Sequence, residues 1–216
     1  LAFTTATLLR KESVPDTVAI PALAGVVAGV LANIELGVIP SPPDVAQSSM
    51  ARFLASAVPS PSLLGLDVMV VVVTVAFAAG GFWVIRRRTQ QSVDRGVRTF
   101  LVVLGSVVAF SSGGSQVGLA TGPLEYLYGV ELGLPSVALL GIGAAGILAG
   151  AWMGSPRLLQ ATAREYAQLG SRRSIAALVP GFLIAQAAIA LGIPISFNNI
   201  IISGVIGGGL AAGSAG

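Results

Sequence analysis

Two short runs hold the residues of this chain that could do chemistry. Residues 110–124 read FSSGGSQVGLATGPL, and residues 194–209 read PISFNNIIISGVIGGG. Each pairs small hydroxyls and amides with helix-breaking glycine or proline, and each leads into an apolar stretch. Ser111, Ser112, Ser115 and Gln116 supply donors in the first run, and Ser196, Asn198 and Asn199 in the second. The first turn of a helix exposes unpaired N–H groups and the positive end of the helix dipole, which together favour an anion. Two half-helix starts facing one midplane site are a recurrent device in membrane transporters. Plainer readings stand beside this one. Ser and Asn at a helix start are ordinary N-caps. The G-x-x-x-G pairs Gly25/Gly29, Gly146/Gly150, Gly204/Gly208 and Gly209/Gly213 read as helix-packing faces.

The elements that would position these runs belong in a membrane. Of 216 residues, 54% are hydrophobic and only 10% charged, and mean hydropathy is +0.88. Soluble domains carry about 25% charged residues, so this surface is too apolar for water. A hydrocarbon core about 30 Å thick needs roughly 20 apolar residues of helix. Residues 17–39, 64–85 and 132–153 meet that length. Residues 99–110 are apolar but short and run into the first polar stretch; residues 174–191, with Pro180, Gly181 and Gln186, are borderline; the run from Pro194 is the last. Residues 1–9 read as the end of an apolar segment and the final residues still lie within one, so the expectation is a fragment cut at both ends.

Charge sets sidedness. Arg10 and Lys11 precede the first span, Arg86–Arg88, Arg95 and Arg98 fall in one loop, and Arg157, Arg164, Arg172 and Arg173 in another. Residues 41–62 carry only Arg52. The positive-inside rule puts the arginine loops in the cytoplasm and residues 41–62 outside. The parity requires one net crossing between residues 99 and 131, expected as a broken helix or a span with a re-entrant hairpin. In this setting the pI near 10.0 reports topology, not nucleic-acid binding. Arg86–Arg88 read first as a stop-transfer signal anchored on lipid phosphate.

The chain has no Cys and no His. Disulfides, thiolate nucleophiles, imidazole metal sites and Ser-His catalysis are therefore excluded. Its single lysine, Lys11, lies outside the spans, so no Ser–Lys pair is in view either. An enzyme is not expected, and no cofactor is implied.

The two runs resemble the paired signatures of the inorganic phosphate transporter (PiT) family, typically F-A-H-G-A-N-D-V-A-N-A-I-G-P-L and P-V-S-T-T-H-A-I-V-G-A-I-I-G-V-G. The order agrees, the clear likeness covers residues 99–216, and the general character of the chain suggests an archaeal member. Gly113, Val117, Ala120, Gly122, Pro123 and Leu124 match the first signature; Gly114, Ser115, Gln116 and Leu119 replace Ala, Asn, Asp and Asn. Pro194, Ser196, Ile201 and Gly207 match the second, with Phe197, Asn198 and Asn199 in place of Thr-Thr-His. The resemblance implies an all-α, multi-span membrane transporter with broken or re-entrant helices. It also implies one half of an inverted-repeat fold, with residues 1–98 as flanking spans and 99–216 as the second-repeat core. The implied activity is secondary transport of inorganic phosphate across the cell membrane, coupled to sodium or protons.

Carried over residue by residue, the implied substrate site is Ser112, Gly113, Gly114, Ser115, Gln116, Ser196, Phe197, Asn198 and Asn199. A sodium ion near Gln116 and a homodimer are left open. The departures fall on the polar positions. Hard cations prefer carboxylates and carbonyls, and Gln116 offers a carbonyl without charge. Phosphate carries a P–OH that seeks an acceptor, whereas sulfate only accepts. Gln, Asn and Ser can each donate or accept, so a sulfate or other oxyanion permease is the alternative, as is a transport-incompetent relative. Glu125 and Glu131 read as markers of an aqueous helix end; Glu35 looks deeper in the span but stands near Pro40, and the same reading applies to it.

Overall fold

The structure, a computed structural model, describes residues 15–36, 48–58, 61–63, 66–133, 135–167, 170–191, 193 and 195–213. Arg10, Lys11 and Pro194 lie outside the described residues, as do the side chains of Ser115, Asn198, Arg157, Arg164, Arg172 and Arg173. Seven α-helices account for most of the described chain: α1 (Asp16–Ala32), α2 (Met50–Ala55), α3 (Val68–Gln91), α4 (Val93–Thr121), α5 (Ser136–Ala167), α6 (Gly170–Ala190) and α7 (Phe197–Gly213). Two short antiparallel pairs lie between α1 and α3: β1 (Glu35–Leu36) with β2 (Ser48–Ser49), and β3 (Ser62–Leu63) with β4 (Leu66–Asp67).

Among the described residues three helical stretches are long and apolar enough to cross a membrane: Val68–Gln91, Val93–Leu124 and Ser136–Gly154. At 1.5 Å per residue, 24 residues span about 36 Å, enough for the hydrocarbon core. Val71, Val72 and Val75 on α3 and Val137, Ile142 and Leu148 on α5 are exposed. Such side chains suit hydrocarbon, where an apolar surface costs nothing. Asp16–Ala32 and Ser174–Ala190 are apolar but shorter.

Several expected boundaries move. The first span, expected over residues 17–39, ends as a helix at Ala32, and the chain turns into β1 at Glu35. Glu35 is therefore not a deep acid. It is half-exposed and pairs with Arg52 Nη1 at 2.9 Å, beside the Ser49 that caps α2 by accepting from the Arg52 N–H. The second span runs on past Ile85, so Arg86–Arg88 are the last turns of α3 and not a loop. Ser92 alone, in extended conformation, separates α3 from α4. So abrupt a reversal needs close backbones, and Gly96 supplies it: a Cβ there would collide with Thr89. The hydroxyl of buried Thr89 donates inward, to the Ile85 carbonyl.

The chain divides into two compact units, residues 1–104 with 171–216, and residues 105–170. In the first, α1 and α3 pack antiparallel through small residues. A Cβ on Gly25 would stand 2.9 Å from the Ala78 carbonyl oxygen, and one on Gly81 would stand 2.6 Å from Ala28 Cβ. Without a hydrophobic drive between helices in lipid, such close backbone approach is what van der Waals association requires. Asn33 Nδ2 fastens the end of the pair, donating to the Gly29 carbonyl and to Thr74 Oγ1, each at 2.9 Å. α6 and α7 pack the same way, Gly204 against the Ala177 backbone and Gly181 against Ile200. In the second unit a Cβ on Gly143 would meet Thr121 Cγ2 at 2.5 Å. The packing reading thus holds for Gly25/Gly29 and for Gly204. Gly146 and Gly150 instead face open space.

Two outcomes follow. Gly81→Val should lower stability by about 1–3 kcal/mol through overpacking, whereas Gly80→Ala, where a Cβ meets nothing within 4 Å, should stabilise by roughly 0.5–1 kcal/mol; thermal unfolding in detergent compares them. Because the chain lacks cysteine, single Gln91→Cys and Ser56→Cys variants report sidedness. An impermeant maleimide should reach position 91 only from the cytoplasm and position 56 only from outside; labelling of both from one side would refute the arginine assignment.

Candidate functional site

The first polar run is not where the helix breaks. α4 continues from Val93 through Thr121, so Ser111–Gln116 occupy its interior. Their backbone N–H groups belong to the i→i−4 ladder and are not half-helix donors. What remains available is the helix surface. Ser111, Ser112, Gly113 and Gln116 are half-buried and Gly114 is exposed; a Cβ on Gly113 or Gly114 would meet nothing within 4 Å. The glycines leave a shallow bare strip flanked by Ser112 and Gln116.

The interruption comes later. Gly122–Leu124 tightens into a 3-10 turn with Pro123 inside it, and Leu127–Glu131 widens into a π turn. Pro123 lacks an N–H, which weakens the ladder at that point. Thr121 covers the junction, donating its hydroxyl to the Val117 carbonyl at 2.8 Å. Glu125 and Glu131 are exposed along this segment, in keeping with an aqueous end. Gly133, at φ +60°, then reverses the chain before α5.

The second run behaves more nearly as the sequence suggests. α6 ends at Ala190, and α7 starts at Phe197. Ser196 is the cap: its Oγ accepts from the Asn199 N–H at 3.5 Å and its carbonyl from the Ile200 N–H at 3.2 Å. The amides of Phe197 and Asn198 stand in the first turn, where no intrahelical acceptor exists. Asn199 is exposed. The Phe197 side chain, in contrast, is only 2% exposed, so this residue can offer a ligand its N–H but not its ring. Ser203 turns its hydroxyl inward, onto the Asn199 carbonyl at 2.8 Å.

Gln186 on α6, which by sequence reads as an interhelical hydrogen bond before a cavity-facing amide, adds a further signal. Its Nε2 is buried without a hydrogen-bond partner among the described residues. Nearby positions of the same helix, Phe182 and Ala185, are fully buried. An orphaned buried amide costs about 1–3 kcal/mol. Pro180, inside α6, similarly removes one ladder bond one and a half turns earlier. Gln186→Leu should therefore raise the thermal stability of the chain by about 1 kcal/mol. A loss of stability would mean that the amide has a partner in the folded protein.

The two runs fall in different compact units, residues 110–124 in one and the start of α7 in the other. Among the described residues no group of three or more His, Cys, Asp or Glu converges on a metal-sized site.

Comparison with known proteins follows the same two runs. The chain is similar to the chloroplastic inorganic phosphate transporter 2-1 of Arabidopsis thaliana, 29% identical over 136 residues. The aligned part is 58% of this chain and 23% of that protein, so the chain spans about a quarter of the relative's length. No solved structure matches it. The phosphate transporter family profile matches residues 12–216, both polar runs included. With three helices among the described residues long and apolar enough to span a bilayer, the chain is a multi-pass membrane protein and belongs to the phosphate transporter family.

Proposed function

We propose that the protein is a secondary active transporter of inorganic phosphate, driven by sodium or protons, and that this chain supplies one of two inverted repeats. The observation that carries the reading is the family match across residues 12–216. The similar Arabidopsis thaliana protein, an inorganic phosphate transporter, points to the same substrate.

In this reading the first turn of α7 takes the anion. The Phe197 and Asn198 N–H groups, the Asn199 side chain and the positive dipole end favour a tetrahedral oxyanion there. Ser196 holds the turn in shape. On α4, within the other compact unit and taken by itself, Ser112 and Gln116 offer side-chain donors and acceptors, and Gly113 and Gly114 keep that strip bare. Alternating access moves one repeat against the other around the anion. Gln116 carries a second reading: the family signature has a carboxylate at this position, and its replacement by a neutral amide fits a permease that takes sulfate, or one with weakened cation coupling.

Labelled phosphate uptake into proteoliposomes tests both. Uptake of phosphate under an imposed sodium or proton gradient, not blocked by sulfate, is the expected result, and the effective gradient names the coupling ion. Transport of neither anion would overturn the proposal. Gln116→Asp should raise the sodium dependence of uptake roughly tenfold, because a carboxylate adds a full charge to any cation site beside it; an unchanged sodium dependence would separate Gln116 from coupling.

A further inference from the structure

A cavity of about 460 Å³ opens at the arginine-rich end of α3, within the first compact unit. Its polar lining comes from three elements: Thr17 in the first turn of α1, Arg86 and Gln90 on α3, and Ser92 at the reversal into α4. Thr89 forms part of the wall and is locked by its bond to Ile85 and by the contact with Gly96. The volume lies within the roughly 300–1,000 Å³ of small-molecule sites.

Three consecutive arginines stand here, and the fold treats them differently. Arg86 lines the cavity, with its guanidinium 5.6 Å from the Phe82 ring centroid. Arg87 lies flat over Trp83 at 3.5 Å, and it does not line the cavity. Among the described residues none of Arg86, Arg87, Arg88, Arg95 or Arg98 has an ion-pair partner. Asp16 and Asp94, in the neighbouring first turns of α1 and α4, are outnumbered by these five cations.

The depth of the cavity identifies its occupant. It follows directly on the exposed apolar surface of α3, and Trp83, 52% exposed, sits one turn before it. Trp and Arg at the end of an apolar span mark the headgroup level of a bilayer. At that depth the abundant phosphate is a lipid's. A guanidinium binds phosphate oxygens through charge-assisted, bidentate hydrogen bonds, and the Thr17, Gln90 and Ser92 side chains can hydrogen-bond both phosphate oxygens and headgroup hydroxyls. We propose that Arg86, Thr17, Gln90 and Ser92 form a specific site for the headgroup of an anionic phospholipid, with Arg86 on the phosphate. The stacked Arg87 serves only as a general interfacial anchor. The site is independent of the transport reading.

Native mass spectrometry of the full-length protein, released from detergent after equilibration with phosphatidylglycerol or phosphatidylcholine, tests this. Wild type should retain phosphatidylglycerol in preference to phosphatidylcholine. Arg86→Gln should weaken that retention roughly tenfold, and Arg87→Gln should leave it within about twofold. Gln90→Leu keeps every charge and should weaken retention about threefold, which preserves the test if Arg86→Gln folds poorly. Equal losses at Arg86 and Arg87 would reduce the site to non-specific charge. Equal retention of the two lipids, or displacement of phosphatidylglycerol by millimolar orthophosphate, would likewise overturn it, the latter by showing a free-anion site.

Discussion

Inside a hydrocarbon core no water is present to satisfy a backbone amide or carbonyl, and each one left unpaired costs several kcal/mol. The rest of this structure answers that constraint. It explains why the long apolar stretches are helices, since a helix is the element that pairs its own backbone. It also explains why Ser111, Ser112 and Thr121 are tolerated on α4, where the Thr121 hydroxyl folds back onto the Val117 carbonyl. Where the ladder fails, at Pro123, at the π turn that follows, and between Ala190 and Phe197, the chain nears water or exposes donors. Those failures are the places at which a polar solute can meet the backbone.

Helix association is the second consequence. In lipid, apolar side chains gain little by leaving their solvent, so contact must come from shape. Gly25, Gly29 and Gly81 let α1 and α3 approach until backbone meets side chain, and Gly204 does the same for α7 against α6. The exposed valines of α3 are not a defect of packing in this light. Gly113 and Gly114 share an unpacked surface with other glycines of the spanning helices, such as Gly80, Gly146 and Gly150; they differ in being flanked by Ser112 and Gln116.

The arginine-rich end shows how one sequence feature resolves into several roles. Five guanidiniums within thirteen residues read alike as topological signals. Folding separates them: Arg87 is spent on an aromatic face, while Arg86 is held at the wall of a cavity built from three helices' ends. The single-residue reversal at Ser92, made feasible by Gly96 against Thr89, creates that wall.

Composition and pattern alone determined that this is a helical, multi-pass membrane chain, because apolar runs of membrane-spanning length and a near absence of interior charge leave a bilayer as the only suitable solvent. The resemblance of the two glycine- and proline-bearing runs to known paired signatures pointed to the family that the profile match shows, and the residue types there anticipated the Ser196 cap at the start of α7. Tertiary structure decided where the helices actually stop. Residues 110–121 carry helix-breaking glycines, yet the helix continues through them, since cooperative propagation in a low-dielectric medium outweighs the roughly 1 kcal/mol that each glycine costs. It also decided that Glu35 meets Arg52 at an exposed hairpin, that the Phe197 ring is buried while its amide stands in the first turn of α7, and that Gln186 Nε2 is buried without a partner among the described residues. Each of these depends on which neighbour arrives from elsewhere in the chain, and local spacing carries no record of that.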